Sequence, residues 1–243
     1  MFVKSLPNML TISNLFLGIV AIIFAFQGED RYVDFAAITV IIGMLMDGLD
    51  GRVARMLNAQ SDFGKELDSL SDVITFGVAP AFIMYVVVLD QLQIVGILIT
   101  ALFPICGALR LARFNVQPGT PGYFIGLPIT AAGGVLATLA LYHQIFHIGV
   151  LAFAMVLLSY LMVSKVKYPN FKKVGIPKSA YWITPLIIAI VVIVAVKYPE
   201  QFPKIVFLPL AVYALYGIKK NVNLLLKKAN KEERKEEKTI PYD

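Results

Sequence analysis

Eight long apolar segments occupy most of this chain, and they limit the kinds of fold that it can adopt. Each segment is long enough to cross most of the ~30 Å hydrocarbon core of a bilayer. The segments lie at about 9–26, 33–57, 66–89, 93–113, 126–143, 148–165, 181–197 and 203–219. Hydrophobic residues make up 58% of the chain, whereas soluble domains contain about 45–50%. The sequence therefore predicts an all-α, polytopic membrane helix bundle with about eight transmembrane helices.

The basic residues predict how the bundle lies in the membrane. If the N-terminus is cytoplasmic, nineteen of the 22 lysines and arginines fall on the cytoplasmic side, and only Arg31, Lys197 and Lys204 lie outside. Cytoplasmic loops of membrane proteins carry such an excess. We therefore expect both termini in the cytoplasm, one integral membrane domain over 1–220 and a charged cytoplasmic tail over 221–243. The location that we expect is the plasma membrane of a prokaryote.

Four aspartates lie at the end of the second apolar segment and the start of the third. Asp47 and Asp50 are three residues apart, and Asp68 and Asp72 are four apart, so each pair lies on one helix face. Ionisable groups at membrane depth cost about 2.5–3.5 kcal/mol each on insertion scales, and clustered carboxylates repel each other. A divalent cation would neutralise them, because hard oxygen ligands suit Mg²⁺, Mn²⁺ and Ca²⁺. The alternative is a network of interfacial charges that caps helix ends.

The residues beside the aspartates favour a phosphate ligand. Gly51 and Ala54 leave the helix face nearly bare, so that a bulky ligand can approach, and Arg55 can contact a phosphate. A carboxylate-held metal pair at a membrane surface suits phosphoryl transfer between a lipid and a water-soluble substrate. The rival interpretation is a divalent-cation transporter, which would carry acidic residues through the depth of several spans. Here the carboxylates crowd one face of the membrane.

The same residues form a motif. The stretch from Asp47 to Asp72 follows the pattern D-x-x-D-G-x-x-A-R-x8-G-x3-D-x3-D at all eight fixed positions. In this it resembles the CDP-alcohol phosphotransferases. The resemblance implies a six-helix membrane core, a homodimer and a reaction in which an acceptor hydroxyl displaces CMP from a CDP-linked lipid. The last two predicted helices would then be a C-terminal extension, and no nucleic acid partner is expected.

The resemblance also implies roles for individual residues. Each active site would hold two divalent cations, Mg²⁺ or Mn²⁺, with Ca²⁺ as an inhibitor. The metal ligands would be Asp47, Asp50, Asp68 and Asp72. Asp72 would also be the general base. The residues in contact with the CDP moiety would be Asn8, Thr11, Gly51, Arg55 and Ser61.

Three further stretches resemble the branch of this family that uses L-serine as the acceptor and CDP-diacylglycerol, or its archaeal ether-lipid analogue, as the donor. They are residues 7–18, 68–81 and 106–115. The resemblance implies transfer of the phosphatidyl group to the serine hydroxyl. Arg110 and Arg113 could bind the serine carboxylate in bidentate fashion, or they could be topology anchors that snorkel to the headgroups. The alternative acceptors are glycerol 3-phosphate and an inositol phosphate.

Overall fold

A computed structural model describes residues 2–116 and 123–169 of the chain. Its helices are, in chain order, α1 (Phe2–Phe26), α2 (Asp30–Met56), α3 (Asp62–Asp72), α4 (Ala79–Val87), α5 (Ile94–Val116), α6 (Ile129–Leu141) and α7 (Ile148–Val163). A π-helical stretch, Val73–Val78, joins α3 to α4 without a break, and a 3₁₀ turn, Leu89–Leu92, precedes α5. The described strands are β1 (Tyr123–Ile125) and β2 (Lys167–Pro169).

The helices agree with the first six apolar segments of the sequence. The helical stretches long and apolar enough to cross a membrane are Ser5–Phe26, Asp30–Met56, Asp62–Val87 and Ile94–Val116. The helices α6 and α7 are apolar but shorter. The prediction of a helical membrane bundle is confirmed, whereas the segments at 181–197 and 203–219 lie outside the described residues. The number of eight helices and the orientation of the termini therefore stay predictions.

The sequence does not predict the small antiparallel ladder that β1 forms with β2. In this ladder Phe124 is paired with Tyr168, whose side chain is fully buried. Directly after β1, the Gly126 amide donates to the Val166 carbonyl at 2.8 Å. These contacts tie the start of α6 to the end of α7. The described fold is otherwise helical, with this one addition to the predicted all-α class.

Small side chains let α1 and α2 pack closely against each other. Ala21 and Ala25 of α1 are fully buried, as are Ala36 and Ala37 of α2. Helices in a membrane associate through such residues, because lipid offers no hydrophobic drive between helices and close van der Waals contact must supply the stability. The exposed large side chains of α1 and α5 are apolar, as expected for surfaces that face lipid.

The π-helical stretch lies in the middle of the bundle. It contacts α1, α2, α5 and α6, and Thr75, Phe76 and Gly77 within it are buried. It follows Asp72 directly. Packing inside the bundle is therefore coupled to the end of α3 that bears the aspartates.

We expect Gly126→Ala to destabilise the protein. Gly126 has a φ of +78°, which L side chains rarely adopt, and an added Cβ would meet the carbonyl group of Met162, with its carbon at 3.2 Å. Overpacking and backbone strain of this kind cost about 1–3 kcal/mol each. The midpoint of thermal denaturation in detergent should therefore fall.

The control for this prediction is Gly28→Ala. Gly28 has a similar φ of +73°, but nothing lies within 4 Å of an added Cβ. Its denaturation midpoint should fall less than that of Gly126→Ala. Equal falls would contradict the explanation by close packing.

Candidate active site

Three carboxylates meet between the C-terminal part of α2 and the middle of α3. Asp47 and Asp50 come from α2 and Asp68 from α3, and one oxygen of each lies within 4.8 Å of the others. Asp50 is buried, whereas the other two are half-buried. Oxygens at this spacing form a donor set that suits a hard divalent cation. We call these three residues the carboxylate triad.

Asp72 lies one helical turn beyond Asp68 and is the last residue of α3, at the end away from the α2–α3 loop. Its side chain is only 7% exposed, and it interacts electrostatically with the whole carboxylate triad and with Arg110. Asp72 is therefore close to the triad without being one of its members. This position is compatible with the dual role, as metal ligand and base, that the family resemblance implies.

Thr11 of α1 holds one member of the triad in place. Its hydroxyl donates to Asp50 Oδ2 at 2.7 Å, and the Pro7 carbonyl oxygen lies 3.1 Å from the same hydroxyl. Hydrogen bonds to an ionised carboxylate are shorter and stronger than neutral ones. Sequence reasoning places Thr11 against the nucleotide, and the structure adds that it orients a carboxylate of the triad.

A cavity of about 600 Å³ lies beside the triad. All five residues predicted to contact the CDP moiety line this cavity: Asn8, Thr11, Gly51, Arg55 and Ser61. Asp50 and Asp68 lie in its wall as well. Pockets of about 300–1,000 Å³ are typical of small-molecule sites, so a nucleoside diphosphate can be accommodated next to the triad.

The close approach of α1 and α3 explains the second glycine of the motif. The Ser61 hydroxyl accepts a hydrogen bond from the Gly64 amide at 3.0 Å and so caps the N-terminus of α3. A Cβ on Gly64 would lie 3.1 Å from both Asn8 Oδ1 and Ser61 Oγ. A larger residue would push the two side chains apart. Ser61 thus has a structural role in addition to its place in the cavity wall.

Among the cavity residues that sequence reasoning misses are a cation, Lys65, and an aromatic residue, Phe114. Lys65 brings a positive charge to the cavity, and its Nζ donates to the Asn115 carbonyl at 3.3 Å. The available signal is its position three residues before Asp68, which places both on one face of α3. Phe114 comes from the end of α5, and no spacing rule links it to the motif.

The structure separates the two arginines that the sequence predicts as acceptor ligands. Arg110 is only 8% exposed and interacts electrostatically with Asp72. Its guanidinium carbon lies 6.0 Å from the centre of the Phe114 ring. Arg113 instead donates to the Val163 carbonyl at 2.9 Å, one of the carbonyls that the end of a helix leaves without a partner. Arg113 therefore ties α5 to α7, whereas Arg110 adjoins the aspartates.

Comparison with known proteins assigns this membrane bundle to a family. Residues 4–217 match the family described as CDP-alcohol phosphatidyltransferase. The match covers most of the chain, and the chain belongs to this family. The resemblance seen in the aspartate motif is thereby confirmed.

Curated relatives are similar to the chain over most of their length. The CDP-diacylglycerol–serine O-phosphatidyltransferase of Helicobacter pylori (strain ATCC 700392 / 26695) is 39% identical over 230 residues, which cover 91% of this chain and 92% of the relative. The protein of the same name from Bacillus subtilis (strain 168) is 44% identical over 169 residues, or 69% of this chain and 92% of the relative. The archaetidylserine synthase of Methanothermobacter thermautotrophicus is 38% identical over 173 residues, or 70% of this chain and 72% of the relative.

We expect Asp47→Asn and Asp68→Asn each to weaken Mn²⁺ binding by at least about tenfold, because each removes a charged ligand from the triad. The measurement is the electron paramagnetic resonance signal of free Mn²⁺, titrated against the purified protein in detergent. Asp62→Asn is the control, since Asp62 is an exposed residue of the cavity wall outside the triad. Wild-type affinity in both triad variants would show that the triad does not bind the metal.

Proposed function

We propose that this protein is a CDP-diacylglycerol–serine O-phosphatidyltransferase. It transfers the phosphatidyl group from CDP-diacylglycerol, or from the ether-lipid analogue CDP-archaeol, to the hydroxyl of L-serine and releases CMP. The observation that carries the proposal is the carboxylate triad beside a cavity lined by all five predicted CDP contacts. The names of the relatives specify serine as the acceptor. They do not support glycerol 3-phosphate or an inositol phosphate.

The CDP moiety of the donor occupies the cavity in this proposal. Arg55 lies near the end of α2 and can donate charge-assisted hydrogen bonds to the diphosphate. Gly51 has no side chain and leaves the helix face open beside it, although a Cβ there would make only ordinary contact with Arg55 Nη1, at 3.6 Å. Lys65 in the same wall adds a second positive charge. Asn8 and Ser61 offer neutral polar groups to the nucleoside.

The proposed enzyme uses two divalent cations, Mg²⁺ or Mn²⁺, with the triad and Asp72 as their ligands. The oxygen donors of these residues fit such ions. When bound, the cations neutralise charge on the diphosphate and stabilise the oxygen that leaves with CMP. Ca²⁺ takes more ligands at longer distances, and we expect it to inhibit.

Asp72 is the proposed acceptor of the proton. The serine hydroxyl oxygen bonds to the β-phosphorus, and the bond from that phosphorus to the CMP oxygen breaks, so that CMP leaves with the electron pair. The hydroxyl proton passes to the Asp72 carboxylate. Because Asp72 is buried beside the triad, this transfer takes place away from bulk water.

Arg110 is the proposed ligand of the serine carboxylate. It is buried close to Asp72, so an acceptor held by its guanidinium would have its hydroxyl near the base. Arg113 is a poorer candidate, because its guanidinium donates to the Val163 carbonyl. A planar guanidinium can bind a carboxylate through two parallel hydrogen bonds.

The membrane setting is also part of the proposal. The excess of basic residues in the predicted cytoplasmic segments supports an active site at the cytoplasmic face of a prokaryotic plasma membrane. We propose a homodimer with one membrane domain over 1–220 and a charged cytoplasmic tail over 221–243. A divalent-cation transporter is not supported, because the chain belongs to a family of transferases.

The choice of acceptor is tested by supplying labelled CDP-diacylglycerol and Mn²⁺ to the purified protein with one acceptor at a time. We expect phosphatidylserine and CMP to form in equal amounts with serine, and little product with glycerol 3-phosphate, inositol 1-phosphate or ethanolamine. Thin-layer chromatography separates the lipid products. Product from glycerol 3-phosphate without product from serine would reject the proposed acceptor.

We expect Arg110→Lys to raise the KM for serine about tenfold, or ~1.4 kcal/mol, because lysine keeps the charge but loses the planar two-point contact. The KM for CDP-diacylglycerol should change little. Arg113→Lys is the matched control, the same substitution one turn further along α5, and it should leave the KM for serine unchanged. An increase in the KM for serine that is confined to Arg113→Lys would show that Arg113, and not Arg110, binds the serine carboxylate.

A further inference from the structure

The π-helical stretch Val73–Val78 begins at the residue after Asp72. A π-helix bonds each amide to the carbonyl five residues back, so it holds one more residue per turn than the α-helix on either side. Such stretches are rare and occur mostly as single turns, frequently at functional sites. Here the π turn sets how α3, with Asp68 and Asp72, is rotated relative to α4.

Each of three neighbouring helices has a glycine where it packs against the π turn. A Cβ on Gly18 of α1 would lie 2.5 Å from Thr75 Oγ1, and a Cβ on Gly43 of α2 would lie 2.8 Å from Thr75 Cγ2. A Cβ on Gly133 of α6 would lie 2.8 Å from Phe76 Cα. Real Cβ atoms essentially never make contacts this short. These three residues, which we call the glycine cradle, leave room for the wider turn.

One buried hydrogen bond joins the π turn to α1. The Thr75 hydroxyl donates to the Asn14 carbonyl at 2.9 Å, and both residues are fully buried. Thr138 of α6 is also fully buried, but its hydroxyl donates to the Gly134 carbonyl four residues earlier in its own helix, a common arrangement for threonine. Thr75 instead binds the backbone of another helix.

Both ends of the proposed site are therefore bound to α1. Thr11 donates to Asp50 of the triad. Asn14, three residues further along α1, accepts from Thr75, which is three residues after Asp72. Residues three apart share a helix face, so the two bonds lie one above the other on α1. Through them α1 determines the position of Asp72 relative to the triad.

We propose that Thr75 is a positioning residue for Asp72. Its bond to the Asn14 carbonyl, made within the glycine cradle, holds the π turn and so directs the Asp72 carboxylate toward the triad. The inference rests on the proposed role of Asp72 as metal ligand and base. If the bond were lost, the turn would be free to relax to the α-helical pattern, in which each amide bonds to the carbonyl four residues back. A shift of one residue rotates a helix by roughly 100°.

The test compares Thr75→Val, which keeps the shape and removes the hydroxyl, with Thr75→Ser, which keeps the hydroxyl. A misplacement near 1 Å can cost about 100-fold in rate, so we expect kcat of Thr75→Val to fall at least about tenfold. The KM values for CDP-diacylglycerol and serine should stay within about twofold. Thr75→Ser should recover most of kcat. The matched control is Thr138→Val, which removes an equally buried hydroxyl and should leave kcat unchanged.

Mn²⁺ titration gives a readout that does not depend on turnover. With Asp72 misplaced, Thr75→Val should bind the weaker of two Mn²⁺ ions several-fold less tightly, while Thr75→Ser and Thr138→Val bind both as the unmodified protein does. If Thr75→Val is not recovered as a monodisperse protein in detergent, Thr75→Ala removes the same hydroxyl with less bulk and takes its place.

Two outcomes would overturn the inference. One is wild-type kcat and Mn²⁺ binding in Thr75→Val under conditions in which Asp72→Asn is inactive. The other is an equal loss of kcat in the valine and serine variants, which would show that packing and not the hydroxyl matters. Full activity of Asp72→Asn would instead contradict the proposed role of Asp72 as metal ligand and base, on which the role of Thr75 rests.

Discussion

Carboxylates inside an apolar bundle lose hydration and repel one another, and much of the described structure is arranged around that cost. Asp50 and Asp72 are buried, and the oxygens of the triad lie within 4.8 Å of one another. The Thr11 hydroxyl donates to Asp50, and Arg110 interacts with Asp72. A hydroxyl adds no charge, and the guanidinium of Arg110 offsets at most one of the four negative charges. A bound cation would complete the balance, and for that reason we regard the triad as a metal site and not as a set of helix caps.

The sequence predicts the aspartate cluster well, because its geometry is local. Spacings of three and four residues place side chains on one helix face in whatever fold the helix belongs to. The apolar segments are predicted well for the same reason, and six of the eight match α1 to α7 with the π turn included. That α2 and α3 bring Asp47, Asp50 and Asp68 together needs only a short loop between two helices.

Features that depend on contacts between distant segments could not be predicted. Arg110 and Arg113 are alike in charge and lie one turn apart on α5, so the sequence treats them as equal. The fold distinguishes them, because the Val163 carbonyl of α7 accepts from Arg113, whereas Arg110 is buried and interacts with Asp72. The π turn is hidden for another reason. Its sequence, V-I-T-F-G-V, is that of an ordinary buried helix, and the glycine cradle that leaves room for it belongs to three other helices.

The inner face of α1 shows how one helix serves both the fold and the proposed site. From residue 5 onward the buried positions of α1 follow the helical spacing, and they are Pro7, Thr11, Asn14, Gly18, Ala21 and Ala25. The first three lie at the end near the cavity, where Thr11 donates to Asp50 of α2 and the Asn14 carbonyl accepts from Thr75 of the π-helical stretch. The last three are small and allow the π turn and α2 to pack closely. The polar residues and the small residues lie on the same buried face of α1. Both sets of contacts are therefore made only at one orientation of α1 about its axis. A rotation that loosened the packing at Ala21 and Ala25 would also move Thr11 away from Asp50, so the stability of the bundle and the geometry of the carboxylates depend on the same contacts.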